Sequence, residues 1–544
     1  MKGRVRRTLG AFPHLGEVVL LIVLCSWYLL NLRGAMNVGE VLYAQYGYSA
    51  VTGDPYVNPT HMIAPTAKYF IGVGQLVFGE GTFGARLPVV LFGLATVHVT
   101  YRLGVLLADR LVGLLAGALL GATYFFATRS VLAILDVPLT FFFVGGIYAL
   151  LCFGRTGETR WVVWTGLAIG GVLTSKAYGF IYALPIVLGV LWFLWQDFGG
   201  QQRFRQAKYF VGSAVAFVAV VYLPYYVVAH PPVERDFGEL IKQFLGLPES
   251  VGAFVQLVFN IPIVGNVAYV VGATLGHNLK HVGGGHAIEV GSTVYREPPI
   301  WTYVYWLTTE VGLFYLLSLI VTLGGGVLGL RNDGQRDRAF LAWVVVLPLL
   351  FVSLLTVKFP RYILPLVPVL AVTGIYYAAD MSSRLRDLNS WSISRPDIDR
   401  VVMLSVVALL LIVPPSPVAN SAVSPINTDT GYDEVARFIE EYQAQHEDET
   451  IVVISYHGTT LDYYLQDDIE IVAFTPKDPQ GNAARYSSYR ERIESGEVAF
   501  VVDLRQNRRL QGTPFYRYVR SNGDVRMMFT QSPDRKRLVV FGFE

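Results

Sequence analysis

The sequence predicts a polytopic α-helical membrane protein that ends in a soluble α/β domain. Three observations carry this prediction. Of the 544 residues, 53% are hydrophobic and only 15% are charged, where a soluble chain carries about 25% charged residues. Apolar runs near the ~20 residues that cross a bilayer recur along the chain as far as residue 417. Beyond about residue 425 the runs become short and β-branched or aromatic, as in IVVISYHGTTLDYYLQ, EVAFVVDL and RLVVFGF, and alternate with helical patterns such as YDEVARFIEEYQAQ.

The apolar runs place spans near 15–33, 86–106, 111–127, 137–153, 161–177, 178–196, 209–229, 302–329, 338–357, 361–379 and 400–417, about eleven in all. MKGRVRR followed by an apolar run has the look of a signal peptide. However, the run Val18 to Leu32 is followed by no A-x-A-like site, so a retained first helix is expected. With the N-terminus inside, every inner segment is basic: Lys2, Arg4, Arg6 and Arg7; Arg102 and Arg110; Arg155 and Arg160; Arg203, Arg205 and Lys208; Arg331, Arg336 and Arg338; Arg384, Arg386, Arg395 and Arg400. This satisfies the positive-inside rule throughout. It predicts a multi-pass plasma-membrane protein with a cytoplasmic N-terminus and an extracytoplasmic C-terminal domain. The predicted membrane domain covers 1–420, with large outer loops at 34–85 and 230–301, and the soluble domain covers 425–544. Residues 251–276 are apolar enough to enter the membrane, but Asn260-Ile261-Pro262 and several glycines break the run, which reads as interfacial or re-entrant.

The composition excludes some classes. A net charge of +2 is too small for a nucleic-acid partner, and the part after about residue 425 has no glycine-rich phosphate loop. Cys25 and Cys152 both lie inside apolar runs, where buried small apolar residues are expected and not a disulfide.

Most ionisable residues outside the inner segments fall on the outer face: Glu40, Asp54, His61, Lys68, Arg86, Arg129, Asp136, Lys176, His277, Lys280, His281, His286, Glu289, Arg296, Glu297, Lys358 and Arg361. Taken singly, each reads as an interfacial anchor that snorkels to water. Together they put acid and base at one depth while the helix midplanes stay nearly uncharged. A transporter more often carries ionisable groups at the midplane and broken helices in paired halves. Transfer from a lipid-linked phosphate donor needs this pattern. The lipid tail needs an apolar groove, the leaving phosphate needs cations near the headgroup plane, and an acceptor hydroxyl needs a carboxylate to take its proton. Glu40 and Asp136 are the candidate carboxylates, and Lys68, Lys176 and Arg361 the candidate cations.

The residues also resemble a known family. The stretch GEVLYAQYGYSAVTGDPYVNPTHMIAPTAKYFIGVGQLVFGEGTFGAR carries Glu40, Tyr43 and Ala44, then Pro65 and Lys68, then Phe78, Gly79, Phe83, Gly84 and Arg86. It resembles the first outer loop and second span of C-type (GT-C) glycosyltransferases, in particular the protein O-mannosyltransferases and the bacterial aminoarabinose (lipid A) transferases. TRSVLAILDVPLTFF with Asp136, LTSKAYGFIYALP with Lys176, GHAIEVGSTVYREPPIWTYVYWL with His286, Arg296 and Trp301, and KFPRYILPLVPVLA with Arg361 and Tyr362 resemble further segments of the family in the same order.

The resemblance implies a GT-C fold and a polyprenyl-phosphate sugar donor. It implies transfer with inversion to an acceptor hydroxyl on a protein, a glycan or a lipid, by a protein that works among membrane lipids. It assigns the donor phosphate to Lys68, Arg86, Lys176, Arg296 and Arg361, and substrate contacts to Tyr43, His61, His286, Trp301 and Tyr362. A divalent ion, Mg or Mn, held by Glu40 and Asp136 stays open beside a metal-free site built on Lys and Arg. The resemblance departs at one place. The family's first motif begins Asp-Glu, whereas this chain has Gly39-Glu40. The proton acceptor is then Glu40, Asp54 or Asp136, or the activity is altered. A transporter of lipid-linked sugars and a non-catalytic outer-face binding protein are the competing classes.

Overall fold

A computed structural model describes residues 14–32, 34–53, 64–227, 288–290, 293–295, 297–331, 336–388, 430–446, 451–455, 458–465, 469–473, 483–504, 514–531 and 536–543. The expected span at 400–417, the apolar segment 251–276 and the residues Asp54, His61, His277, Lys280, His281, His286 and Arg296 lie outside the described residues.

Among the described residues, six helices are long and apolar enough to cross a membrane: Thr82–Leu107, Asp136–Thr156, Gly179–Asp197, Gly200–Leu223, Leu313–Leu330 and Arg336–Leu354. Arg110–Ala122 and Tyr124–Ser130 together make one more candidate span, bent by 67°. Leu15–Leu30 and Leu366–Met381 are apolar but shorter, and Thr159–Ser175 is a helix where a span is expected. The bend near Thr123 opens a carbonyl inside the bundle. The Tyr28 hydroxyl donates to that carbonyl, Gly121 O, at 2.9 Å, and the Thr123 hydroxyl pairs with Tyr315 Oη at 2.6 Å. Buried partners of this kind are what allow non-helical backbone at membrane depth.

The structure redraws three expected segments. The outer stretch 34–85 contains two helices, Val38–Thr52 and Pro65–Phe78. They cross backbone to backbone at Gly47 and Gly72, where a Cβ on Gly47 would stand 2.9 Å from Gly72 N. The run 302–329 is broken into a short helix Thr302–Trp306, a π-helical turn Leu307–Val311 and the helix Leu313–Arg331, with Gly312 at φ 125° between the last two. The run from 361 starts as a 3₁₀ turn, Pro360–Ile363, and becomes α-helical only at Leu366–Leu388. Pro365 has no N–H to donate, so the regular helix starts after it.

An antiparallel hairpin, β1 (Ile288–Val290) and β2 (Thr293–Tyr295), precedes Trp301. The C-terminal part forms a five-stranded sheet from β3 (Val452–Ser455), β4 (Glu470–Ala473), β5 (Val498–Leu504), β6 (Asp524–Gln531) and β7 (Lys536–Gly542), in the order β4-β3-β5-β7-β6. β3 runs parallel to β4 and β5, and β7 antiparallel to β5 and β6. Alternating residues feed a core on each face, as the period of a strand requires. Val452, Ile454, Val539 and Phe541 pack with Phe515, Tyr516 and Val519. Val453 and Val540 pack with Val435, Ile439 and Leu461, and with Ala35, which precedes the first outer helix.

Candidate active site

Two buried carboxylates organise one end of the bundle. The first, Glu40, is set by local sequence. Asn37 caps the helix Val38–Thr52 and accepts from the N–H groups of Gly39 and Glu40, while Glu40 Oε2 accepts from Asn37 N–H at 3.0 Å. This is a capping box, readable as N-x-x-E. The Glu40 carboxylate then reaches outward from its own helix. Arg86 Nε donates to Oε1 at 2.7 Å and Arg86 Nη2 to Oε2 at 3.0 Å. Asn37 Nδ2 donates to Oε2 at 2.8 Å, and the Ala133 N–H donates to Oε1 at 2.8 Å. Five donors meet a group that offers about four lone-pair sites. Glu40 and Arg86 are both fully buried, and the other guanidinium N–H groups go to the carbonyls of Leu32, Gly34 and Ala35.

The second carboxylate, Asp136, opens the helix Asp136–Thr156 and is also fully buried. Lys176 Nζ donates to its Oδ2 at 2.5 Å and the Tyr178 hydroxyl to its Oδ1 at 2.6 Å. Lys176 lies just past the C-terminus of Thr159–Ser175, in the turn before the next helix. A hydrogen bond of 2.7 Å between the buried hydroxyls of Thr66 and Thr174 clamps this helix end to the start of Pro65–Phe78, the helix that carries Lys68. Arg361, on the 3₁₀ turn, acts electrostatically on Asp136, Tyr43, Tyr178 and Tyr362. Its Nε is buried without a hydrogen-bond partner among the described residues. Arg129 faces Asp136 and Arg361, and also Glu310 on the π turn.

Aromatic rings wall this cluster. Tyr178 and Tyr362 pack at 4.4 Å and Phe359 and Tyr362 at 5.5 Å between centroids. The Tyr362 carbonyl accepts from the Tyr182 hydroxyl. Lys68 is buried, with Nζ 5.8 Å from the Tyr46 ring centroid. Burial alone pushes its ammonium down from 10.5 to about 7. Lys358 donates to the Pro298 carbonyl at 2.9 Å, which ties the segment before Trp301 to the approach to Arg361. Trp301 itself is half exposed, edge-on to Tyr305 at 6.2 Å.

The structure therefore brings together Asp136, Lys176, Arg361, Tyr43 and Tyr362 of the residues expected from sequence. It sets Glu40 and Arg86 apart as a closed pair behind them. His61, His286 and Arg296 are outside the described residues. Tyr178 and Arg129 carry no site role in the sequence reading. Tyr178 was within reach as the residue two past Lys176, but nothing in its spacing says that its hydroxyl meets Asp136.

The donor set does not suit a divalent ion. Every oxygen of Glu40 and Asp136 accepts from N–H or O–H groups. The groups beside Asp136 are cations, where a hard divalent ion needs several oxygen ligands. No group of three or more His, Cys, Asp and Glu gathers among the described residues.

Known proteins are similar to this chain in sequence or in fold. Residues 61–225 match the family model described as dolichyl-phosphate-mannose-protein mannosyltransferase. An undecaprenyl phosphate-α-4-amino-4-deoxy-L-arabinose arabinosyl transferase of Pseudomonas aeruginosa (strain LESB58) is 32% identical over 250 residues, 42% of this chain and 44% of that protein. One of the same name from Pseudomonas fluorescens (strain Pf0-1) is 25% identical over 380 residues, 67% of this chain and 59% of that protein. The matches thus span about half the length of these curated relatives. The crystal structure of ArnT from Cupriavidus metallidurans bound to undecaprenyl phosphate superposes with a TM-score of 0.55 at 17% identity, over 97% of this chain and 98% of that one. The Archaeoglobus fulgidus oligosaccharyltransferase tethered to an acceptor peptide gives 0.58 at 12% identity, over 98% of this chain and 74% of that one.

Proposed function

We propose that this chain, which has the GT-C fold and for which the comparisons indicate a C-type glycosyltransferase, moves a sugar from a polyprenyl-phosphate donor to an acceptor at the outer face of the plasma membrane. One observation carries the reading. Lys176 and Arg361 both face the single carboxylate Asp136, and a buried N–H of Arg361 lacks a partner among the described residues. Surplus buried positive charge is costly unless an anion joins it. A phosphate at the end of a lipid tail is the anion that a membrane-edge site of this kind meets.

In the proposed step the acceptor oxygen attacks the anomeric carbon of the donor. The carbon–oxygen bond to phosphate breaks, and its electron pair leaves on the phosphate oxygen, so the configuration inverts. Lys176 and Arg361 balance the charge that grows on the phosphate, Arg361 through its forked N–H groups. The acceptor proton goes to Asp136. As Lys176 turns toward phosphate, it frees an Asp136 oxygen to take that proton. Glu40 is already saturated with donors, so in this reading it is not the acceptor's base and Arg86 binds no phosphate. Both are struts. The names of the relatives favour a pentose on an undecaprenyl carrier, with mannose the alternative.

The test uses the purified full chain in detergent with an undecaprenyl-phosphate sugar labelled in the sugar, and offers a lipid, a glycan and a peptide in turn as the hydroxyl acceptor. Expected is release of undecaprenyl phosphate together with labelled acceptor. Donor that stays intact, and that crosses proteoliposome membranes unchanged, would instead identify a transporter.

A further inference from the structure

We infer that the C-terminal α/β domain is a positioning element of the active site and acts through Tyr464 and the buried Glu40–Arg86 pair. The inference rests on the reading of Asp136 as the reactive carboxylate. A path of hydrogen bonds and short backbone stretches leads from the domain to that residue. The Tyr464 hydroxyl accepts from the Met36 N–H at 2.7 Å, and Thr430 Oγ1 donates to the Met36 carbonyl at 3.0 Å. Ala35, next in the chain, is buried in the domain's own core. The carbonyls of Gly34 and Ala35 accept from Arg86 at 3.2 and 3.4 Å. Arg86 grips Glu40, and Glu40 Oε1 accepts from the Ala133 N–H. Ala133 lies in the short turn that ends at Asp136, the first residue of its helix.

Glu40 is the node of this path. It joins three pieces of backbone that share no regular structure: the 34–36 strap, the start of Thr82–Leu107 and the 131–135 turn. Its links to Arg86 are charge-assisted and shielded from water, which makes them stiff. A shift of the domain is therefore passed to the N-terminus of the Asp136 helix. The cations Lys176 and Arg361 come from other turns and lie off the path. Loosening it moves the carboxylate relative to the phosphate cations, and small misplacements of a reacting group are costly in rate. Tyr464 is thus a positioning residue, with no contact to substrate.

The experiment compares four forms of the full chain with wild type: Tyr464→Phe, Glu40→Gln, the double variant, and Phe515→Leu. Phe515 lies in the core on the far face of the sheet, so its variant weakens the domain without touching the path. For Tyr464→Phe, kcat is expected to fall about tenfold, the size of one lost hydrogen bond. The KM for donor should stay within about twofold, because its phosphate ligands do not move. Amide exchange over residues 131–135 should quicken, and the kcat loss should disappear in the Glu40→Gln background, where the path is already cut. Phe515→Leu should lower the unfolding temperature with none of these effects. Equal kcat losses in Tyr464→Phe and Phe515→Leu, unchanged exchange at 131–135, or additive losses in the double variant would each overturn the inference. If wild type transfers no sugar, the proposed function fails, and the exchange measurement still decides the mechanical link.

Discussion

Glu40 and Asp136 are two fully buried carboxylates at one end of the same bundle, and their surroundings differ in kind. Glu40 meets a single guanidinium and three further N–H donors, all supplied by neighbouring backbone or by its own cap. Its charge is matched and its lone pairs are used. Asp136 meets an ammonium and a phenol, with the guanidinium of Arg361 in electrostatic range. There the charges do not balance. Burial and an ion pair are common to both sites, so neither marks chemistry. The unmatched cation is the difference between them, and it is what the proposed function rests on.

Substitution gives the strongest test of the contrast. Asp136→Asn should keep a folded protein and lower kcat by about 10²–10⁴-fold, the range for loss of a general base. Steady-state transfer rates beside a thermal unfolding curve would show both. Glu40→Ala should act mainly on stability, with kcat of the folded fraction lower by only about tenfold. It leaves Arg86 buried without its counter-charge, at a cost of about 3–5 kcal/mol in stability, seen as a lower unfolding temperature and a poor yield of folded protein. A stable Glu40→Ala protein that is catalytically dead would exchange the two roles.

A smaller effect is expected at the cation. Arg361→Lys keeps the charge but loses the planar fork, and should weaken polyprenyl-phosphate binding by roughly 10-fold or somewhat more. Direct binding titration in detergent would measure it, and unchanged affinity would remove Arg361 from the phosphate site.

The smallest effect concerns pH at Lys68, whose ammonium is held down near 7 by burial. Below pH 7 the folded protein carries this charge at a cost. As pH rises from about 7 toward 10.5 the unfolded chain holds the proton and the folded one does not, so stability rises across that window. A bound phosphate works in the opposite sense by favouring the ammonium. Binding then takes up a proton above pH 7, and donor affinity should fall by up to about tenfold per pH unit. Titrations at pH 6.5 to 8.5 should show this slope in wild type and lose it in Lys68→Arg. A flat wild-type profile would place the phosphate away from Lys68.

Much of the architecture was legible because each signal is local. Apolar runs mark helices by length, and the alternating runs after residue 425 mark a small α/β unit whose sheet order no local pattern shows. The segments at 302–329 and 361–379 differ at Gly312 and Pro365, where backbone chemistry interrupts an apolar stretch without changing its hydropathy, and 34–85 differs by folding into two helices where a loop was expected. The residue types of the proposed site were legible, and the ordered motifs supplied most of the residues that cluster around Asp136. Tyr178 and Arg129 were not, because a phenol in an apolar turn and an arginine at a helix end have many ordinary uses.

By itself the sequence determined the class: a helical membrane bundle followed by a small α/β domain. Those properties follow from composition and period, which survive any particular packing. Only the tertiary structure decided which carboxylate is closed and which is open. That depends on donors that lie 46, 93 and 40 residues away from their partners, and pairing over such distances is written in packing, not in any local run of residues.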